Sequence, residues 1–248
     1  MRILGDSNIT DAAVTATNVL SATLTSKLKT FQLTDNMRTI TNSTNIDFTF
    51  NGTVPDIDCI GLCGTNLTAT SVVSVSYSDT NIEAPDATVS MTIFSSLNQV
   101  IFLSAALSKK YWRVSITDTA LSTLFVGYLY VGEYLEISNV DFGHKAELNI
   151  FSDVAVSPTG QSYGGKLYNS MPVSFTMQLD YDTLESYTAI VQEKYNVDPV
   201  LLIEFPESYA LSLYRPKYGA LTKSSIPYPM RDGTPLTYVV QAQLEERF

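Results

Sequence analysis

Ile57-Asp-Cys-Ile-Gly-Leu-Cys-Gly-Thr-Asn-Leu-Thr-Ala-Thr-Ser-Val-Val-Ser-Val-Ser-Tyr77 reads as two β-strands joined by a short polar turn. Ile57 to Leu62 is apolar on both faces, the pattern of a central strand covered on both sides. The turn runs from Gly64 to Thr68. Ser71 to Tyr77 returns with a period of two that puts Val73, Val75 and Tyr77 on one face. A second pair answers it, Tyr111-Trp-Arg-Val-Ser-Ile116 and Leu124-Phe-Val-Gly-Tyr-Leu-Tyr-Val-Gly132. Outside these, Ile46, Phe48 and Phe50 alternate with polar residues, and Thr88–Phe94 and Gln99–Leu103 read as two more strands. About eight strands at this close spacing predict a mostly-β chain, an antiparallel jelly-roll sandwich.

Composition agrees. Of 248 residues, 45% are apolar and only 16% charged, and the abundance of Thr, Ser, Val and Tyr is that of pleated, half-buried surfaces. A chain of this length buries roughly 70–75% of its unfolded surface, so it needs no disulfide or metal to hold a core. Cys59 and Cys63 stand four apart on one strand, about 13 Å from each other, beyond disulfide reach, and read as small core residues. The net charge of −10, with Lys109, Lys110 and Arg113 as the densest basic group, disfavours nucleic acid as a partner. No apolar run approaches the ~20 residues of a membrane helix, and Met1-Arg-Ile-Leu-Gly-Asp6 lacks the apolar core of a signal peptide.

After Ile137 the character changes. Residues 1–138 read as the sandwich and 139–248 as a second β-rich unit, either independent or sharing a sheet with the first. Its first part, Ser138 to Tyr168, is polar and reads as a long connection, and an arm reaching a neighbour is one use for so long a stretch. One helix is expected at about 183–195, capped by Asp182 with Glu185 as reciprocal partner, its apolar stripe formed by Leu184, Tyr187, Val191 and Tyr195. The last strand, Leu236 to Glu246, alternates with Leu236, Tyr238, Val240, Ala242 and Leu244 on one face and Thr237, Gln241, Gln243 and Glu245 on the face toward water.

No constellation announces a reaction. His144, the only histidine, sits in Asp141-Phe-Gly-His-Lys145 without a Gly-x-Ser-x-Gly elbow anywhere. Glu133 with Glu136, and Glu245 with Glu246, pair carboxylates by proximity alone. Asp6, Asn8 and Asp11 lack the spacing and closing Glu of a calcium loop. No cofactor, metal or catalytic residue is therefore assigned. For binding, the places to look are the turns at one end of the sandwich, around Asn66 and Thr68 and around Asp118 and Thr119.

Two pieces carry a resemblance. Asp58-Cys-Ile-Gly-Leu-Cys-Gly-Thr-Asn-Leu67 followed by Val72-Val-Ser-Val-Ser76 is similar to a signature of galactose-binding-like (discoidin-type) jelly rolls. Tyr111-Trp-Arg-Val-Ser-Ile-Thr-Asp118 followed by Val126-Gly-Tyr-Leu-Tyr-Val-Gly132 resembles the end of the same fold in tail-associated virion proteins of tailed bacteriophages. The resemblance implies a structural virion protein of the tail or neck, made in the host cytoplasm, which works by self-association, as a homo-oligomer, and by docking to other virion proteins. The alternative it implies is a carbohydrate-binding module for glycans of the host surface. Trp112 and Arg113 mark the fold in this resemblance, and no ligand residue of the family transfers to a position here. The disulfide common in discoidin domains has no counterpart.

Overall fold

The computed structural model describes residues 1–5, 7–30, 33, 36–93, 97–143, 149–156, 162–170, 172–194, 198–204, 216–225, 227–230 and 237–246. The chain divides into two compact units. One comprises Arg2–Tyr134 together with Leu202–Lys217; the other comprises Met1, Leu135–Leu201 and Tyr218–Phe248. The chain thus changes unit at Tyr134/Leu135, four residues ahead of the boundary expected from composition, and returns once to the first unit through residues 202–217.

The first unit is an antiparallel β-sandwich. Its strands are β2 (Ala12–Ala16), β3 (Met37–Arg38), β4 (Ser43–Phe50), β5 (Ile57–Cys63), β6 (Val72–Ser78), β7 (Ala87–Met91), β8 (Gln99–Leu107), β9 (Tyr111–Thr117), β10 (Phe125–Val126) and β11 (Tyr128–Gly132); β1 (Arg2–Leu4) belongs to this unit but to none of the sandwich sheets. One sheet runs β2-β4-β9-β6-β7, a second β11-β5-β8, and β10 pairs with β3. β5 is the middle strand of its sheet and is buried at every position except Asp58. Both of its cysteines are free and buried, so burial pushes their thiols up and leaves them unreactive packing groups.

The larger sheet shows why alternation predicts it so well. Phe48, Trp112 and Tyr77 stand opposite one another on β4, β9 and β6, with their rings on the inner face. Trp112 lies parallel to Phe48 at 6.0 Å between centroids and 5.2 Å from Tyr77, and its indole N–H donates to Lys109 O at 2.7 Å. A buried indole with its N–H satisfied stabilises the core rather than offering a platform to solvent. In the next row, on the outer face, Arg113 is held by both carboxylate oxygens of Asp47, at 2.6 and 2.7 Å, and by Glu83 at 2.7 Å.

The second unit contains β12 (Leu135–Glu136), β13 (Asn139–Gly143), β14 (Asn149–Val156), β15 (Ser162–Ser170), β16 (Val173–Leu179), α1 (Tyr181–Lys194), β19 (Tyr228–Met230) and β20 (Thr237–Glu246), together with the first two residues of β17 (Val200–Ile203) and all of β18 (Lys217–Ser224) but Lys217. β20 organises it, pairing with β16 from Val173↔Leu244 to Leu179↔Tyr238, with β18, and with β19. Val240, Ala242 and Leu244 are buried as the alternation predicts, whereas Tyr238 is half-buried, its neighbour Val239 is buried as well, and Leu236 lies outside the described residues. β13 adds to the far side of β16. The stretch read as a long polar connection is therefore largely stranded. Its average polarity conceals Asn149-Ile-Phe-Ser-Asp-Val-Ala-Val156, a segment rich in β-formers.

The helix starts two residues before its expected beginning, and Asp180 caps it instead of Asp182. The Thr183 N–H donates to Asp180 Oδ1 at 2.8 Å, while Asp182 lies within the first turn. Tyr187 is its buried anchor, with its hydroxyl 3.3 Å from Ser224 Oγ; Tyr195 lies outside the described residues.

Candidate binding site at the loop end of the sandwich

Four loop segments converge where β6 and β4 begin and β2 and β9 end. Asp118, the residue after β9, is fully buried and ties two of them together. Its Oδ2 accepts from the Thr68 N–H at 3.0 Å, from Thr68 Oγ1 at 2.8 Å and from the Ser71 hydroxyl. Its Oδ1 accepts from the Ala120 N–H at 2.8 Å. Burial alone would raise its pKa, but these hydrogen bonds to the charged form win and hold the carboxyl at about 2.

Asn66 performs a parallel task with a neutral side chain. Its amide donates to Thr123 O at 3.0 Å and its carbonyl accepts from the Phe125 N–H at 2.8 Å. Just before it, Gly64 has φ +65°, and its N–H donates to Asn98 Oδ1 at 3.2 Å. Any larger residue there would meet Leu33 as well as the backbone strain.

The other two segments enter from β2 and β3. Asn18 takes the left-handed conformation, φ 55°, which asparagine tolerates better than most residues. Its O accepts from the Ile40 N–H at 2.7 Å and its side chain donates to Ser43 O at 3.0 Å. Asn42 O accepts from the Asp118 N–H at 2.9 Å. Across the sheet, Ser43, Thr117 and Val72 occupy one row. Residues 17–20, 40–43, 68–72 and 117–122 are thereby joined into one surface.

Its chemistry is uniform. Leu20, Ile40 and Val72 stand 63%, 59% and 69% exposed, among Thr70, Thr117, Thr119 and Ser122, all exposed. Asp118 is the sole ionisable residue in the four segments, and it is buried. The exposed Arg38 lies at the margin, over the Phe125 ring. The far end of β6 differs: there Lys109 bridges Asp79 and Asp86.

Of the residues singled out from sequence, Thr68 and Asp118 are in direct contact, Thr119 follows on the exposed rim, and Asn66 braces the adjoining turn. Asn66 and Asp118 spend their polar groups on the chain itself, so they shape the surface. Segments 17–20 and 40–43 escaped the sequence reading. The one local signal for the former is Asn18, a residue type suited to positive φ. Glu133 and Glu136 are exposed, His144 and Asp6 lie outside the described residues, and no group of three His, Cys, Asp or Glu positioned to hold a metal occurs among the described residues. Among them too, no helix is long and apolar enough to cross a membrane.

Neither a family model nor a curated protein sequence matches the chain. Solved structures do align with about half of it. Chitosan-binding module 1 of a chitosanase/glucanase from Paenibacillus sp. IK-5 gives a TM-score of 0.43 at 15% identity, covering 52% of this chain and 99% of its own. A Streptococcus pneumoniae fucose-binding module, SpX-3, gives 0.41 at 13%, covering 52% and 98%. CpGH89CBM32-5 from Clostridium perfringens, in complex with GalNAc-β-1,3-galactose, gives 0.41 at 10%, covering 53% and 99%.

Proposed function

We propose that the sandwich unit is a non-catalytic binding module for a neutral glycan, and that the loop end is its binding surface. The observation that carries this is the absence of exposed charge from four converging segments of a chain whose net charge is −10. A neutral sugar presents hydroxyls that pair with Thr, Ser and Asn side chains, and C–H faces that lie against Leu20, Ile40 and Val72. A nucleic acid or other polyanion finds no cation on the four segments to pair with. Exposed apolar residues gathered at one site, rather than scattered singly, mark contact surfaces. Asp118 and Asn66 order the loops in advance, which lowers the entropy cost of binding.

The test is a glycan array probed with the full chain, followed by calorimetric titration of any hit. Val72→Asp and Thr70→Ala are expected to weaken binding roughly tenfold or more while leaving the near-ultraviolet signal of buried Trp112 unchanged. Binding that survives both changes, or no neutral glycan bound at millimolar concentration, overturns the reading.

The virion role rests on the sequence resemblance alone.

A further inference from the structure

β14 and β15 pair through eight registered positions, from Asn149↔Ser170 to Val156↔Ser162, and form a two-stranded sheet of their own. The register shifts once, between Phe151 and Ser152, whose partners Tyr168 and Lys166 leave Leu167 as the extra residue. Such a ladder uses one edge of each strand. Among the described residues no further strand pairs with the other edge of either, which leaves a row of main-chain N–H and C=O groups outside the ladder. A two-stranded hairpin is marginal in water and gains stability when a further strand joins. Neither strand contains proline, the residue that most directly blocks an edge.

The charges say what fits that edge. The chain is strongly acidic, yet Asp153 is the only charged residue of β14 and Lys166 the only one of β15. The hairpin is therefore neutral, and two hairpins can approach without the repulsion that −10 imposes elsewhere. Pairing β14 with a second β14, or β15 with a second β15, joins strands of the same charge. Pairing β14 of one copy with β15 of the next joins opposite charges.

We propose that the hairpin links copies of this chain head to tail, with the β14 edge of one against the β15 edge of the next. Main-chain hydrogen bonds supply the affinity, as in other strand additions, and the Asp153 and Lys166 strands set the order. A head-to-tail contact closes into a ring if its rotation permits and otherwise extends into a filament. This goes beyond the glycan reading and does not depend on it.

Native mass spectrometry and light scattering of the full chain at roughly tens of micromolar test it. An assembly larger than the monomer is expected. Replacing residues 149–170 by a short Gly-Ser turn should leave a monomer that keeps the Trp112 near-ultraviolet signal. Asp153→Lys alone should weaken association roughly two- to fivefold, and adding Lys166→Asp should restore it. A monomeric wild-type chain overturns the proposal, and so does an assembly indifferent to loss of the hairpin. Glycan titration of the hairpin-less variant reports separately on the loop end.

Discussion

Asp118 and Thr68 are joined twice through one carboxylate oxygen: Oδ2 accepts from the Thr68 N–H at 3.0 Å and from its hydroxyl at 2.8 Å. Fifty positions apart in sequence, they fix the β5–β6 turn against the chain leaving β9. Asp118→Ala deletes the acceptor of four part-buried hydrogen bonds, from the Thr68 N–H and hydroxyl, the Ser71 hydroxyl and the Ala120 N–H, a loss of about 2–4 kcal/mol, or roughly 5–10 °C in Tm. The same contact has a pH signature. The folded carboxyl sits at about 2, below its ordinary value of 3.8. Its contribution is therefore complete above about pH 4 and fades as pH falls toward 2. Thermal melts of wild type and Asp118→Ala should converge across that window; a gap that stays constant would rule out the charged form as the cause.

Asp58 behaves in the opposite sense. Burial pushes its carboxyl up to about 6, the nearby Glu133 adds to the rise, and the Tyr134 N–H and Arg2 only partly offset it. Here the folded state holds its proton more tightly than the unfolded one. The stabilisation is present below about pH 4 and is lost as pH rises through about 6. Asn at this position keeps an oxygen for the Tyr134 N–H, 3.1 Å from Asp58 Oδ1, without the buried charge. Asp58→Asn should raise Tm by a few degrees at about pH 8 and by little at about pH 4. An equal gain at both pH values would show that Asp58 does not titrate between them.

Glu204 and Lys217 face each other within the sandwich unit. The Glu204 side chain is fully buried and Lys217 nearly so, and the two form a close ion pair. Removing one member of a buried pair leaves a charge without its counter-ion. Lys217→Met should cost about 3–5 kcal/mol, whereas Lys217→Met with Glu204→Leu should recover most of it. Chemical denaturation of the two variants decides the matter: a double variant as unstable as the single one would mean that an unpaired buried charge is not the source of the loss.

The larger sheet was readable from sequence because burial on it follows alternation: Ile46, Phe48 and Phe50, then Val73 and Val75, all fall inside. β5 was readable because an apolar run bounded by turns has few other uses. The helix cap was misplaced because Asp180 and Asp182 are equivalent to a local rule, and the end of β16 at Leu179 decides between them. The loop end was half readable. Asn66, Thr68, Asp118 and Thr119 lie in recognisable turns, but Asn18 and Ile40 join them only through pairings of distant segments that no local pattern encodes.

Asn18 offers the sharpest check on whether the loop end must be held in shape. Two effects meet there: a positive φ that most side chains resist, and an amide donating to Ser43 O at 3.0 Å. Asn18→Gly keeps the first and loses the second, so it should cost about 0.5–1.5 kcal/mol. Asn18→Ala loses both and adds left-handed strain of about 1 kcal/mol, so it should be the less stable of the two. If glycan binding depends on the ordered surface rather than on Asn18 itself, affinity should follow the same ranking, wild type above Gly above Ala. Equal affinities for the Gly and Ala variants, set against unequal melting temperatures, would show that the amide contacts the sugar directly and that loop order is secondary.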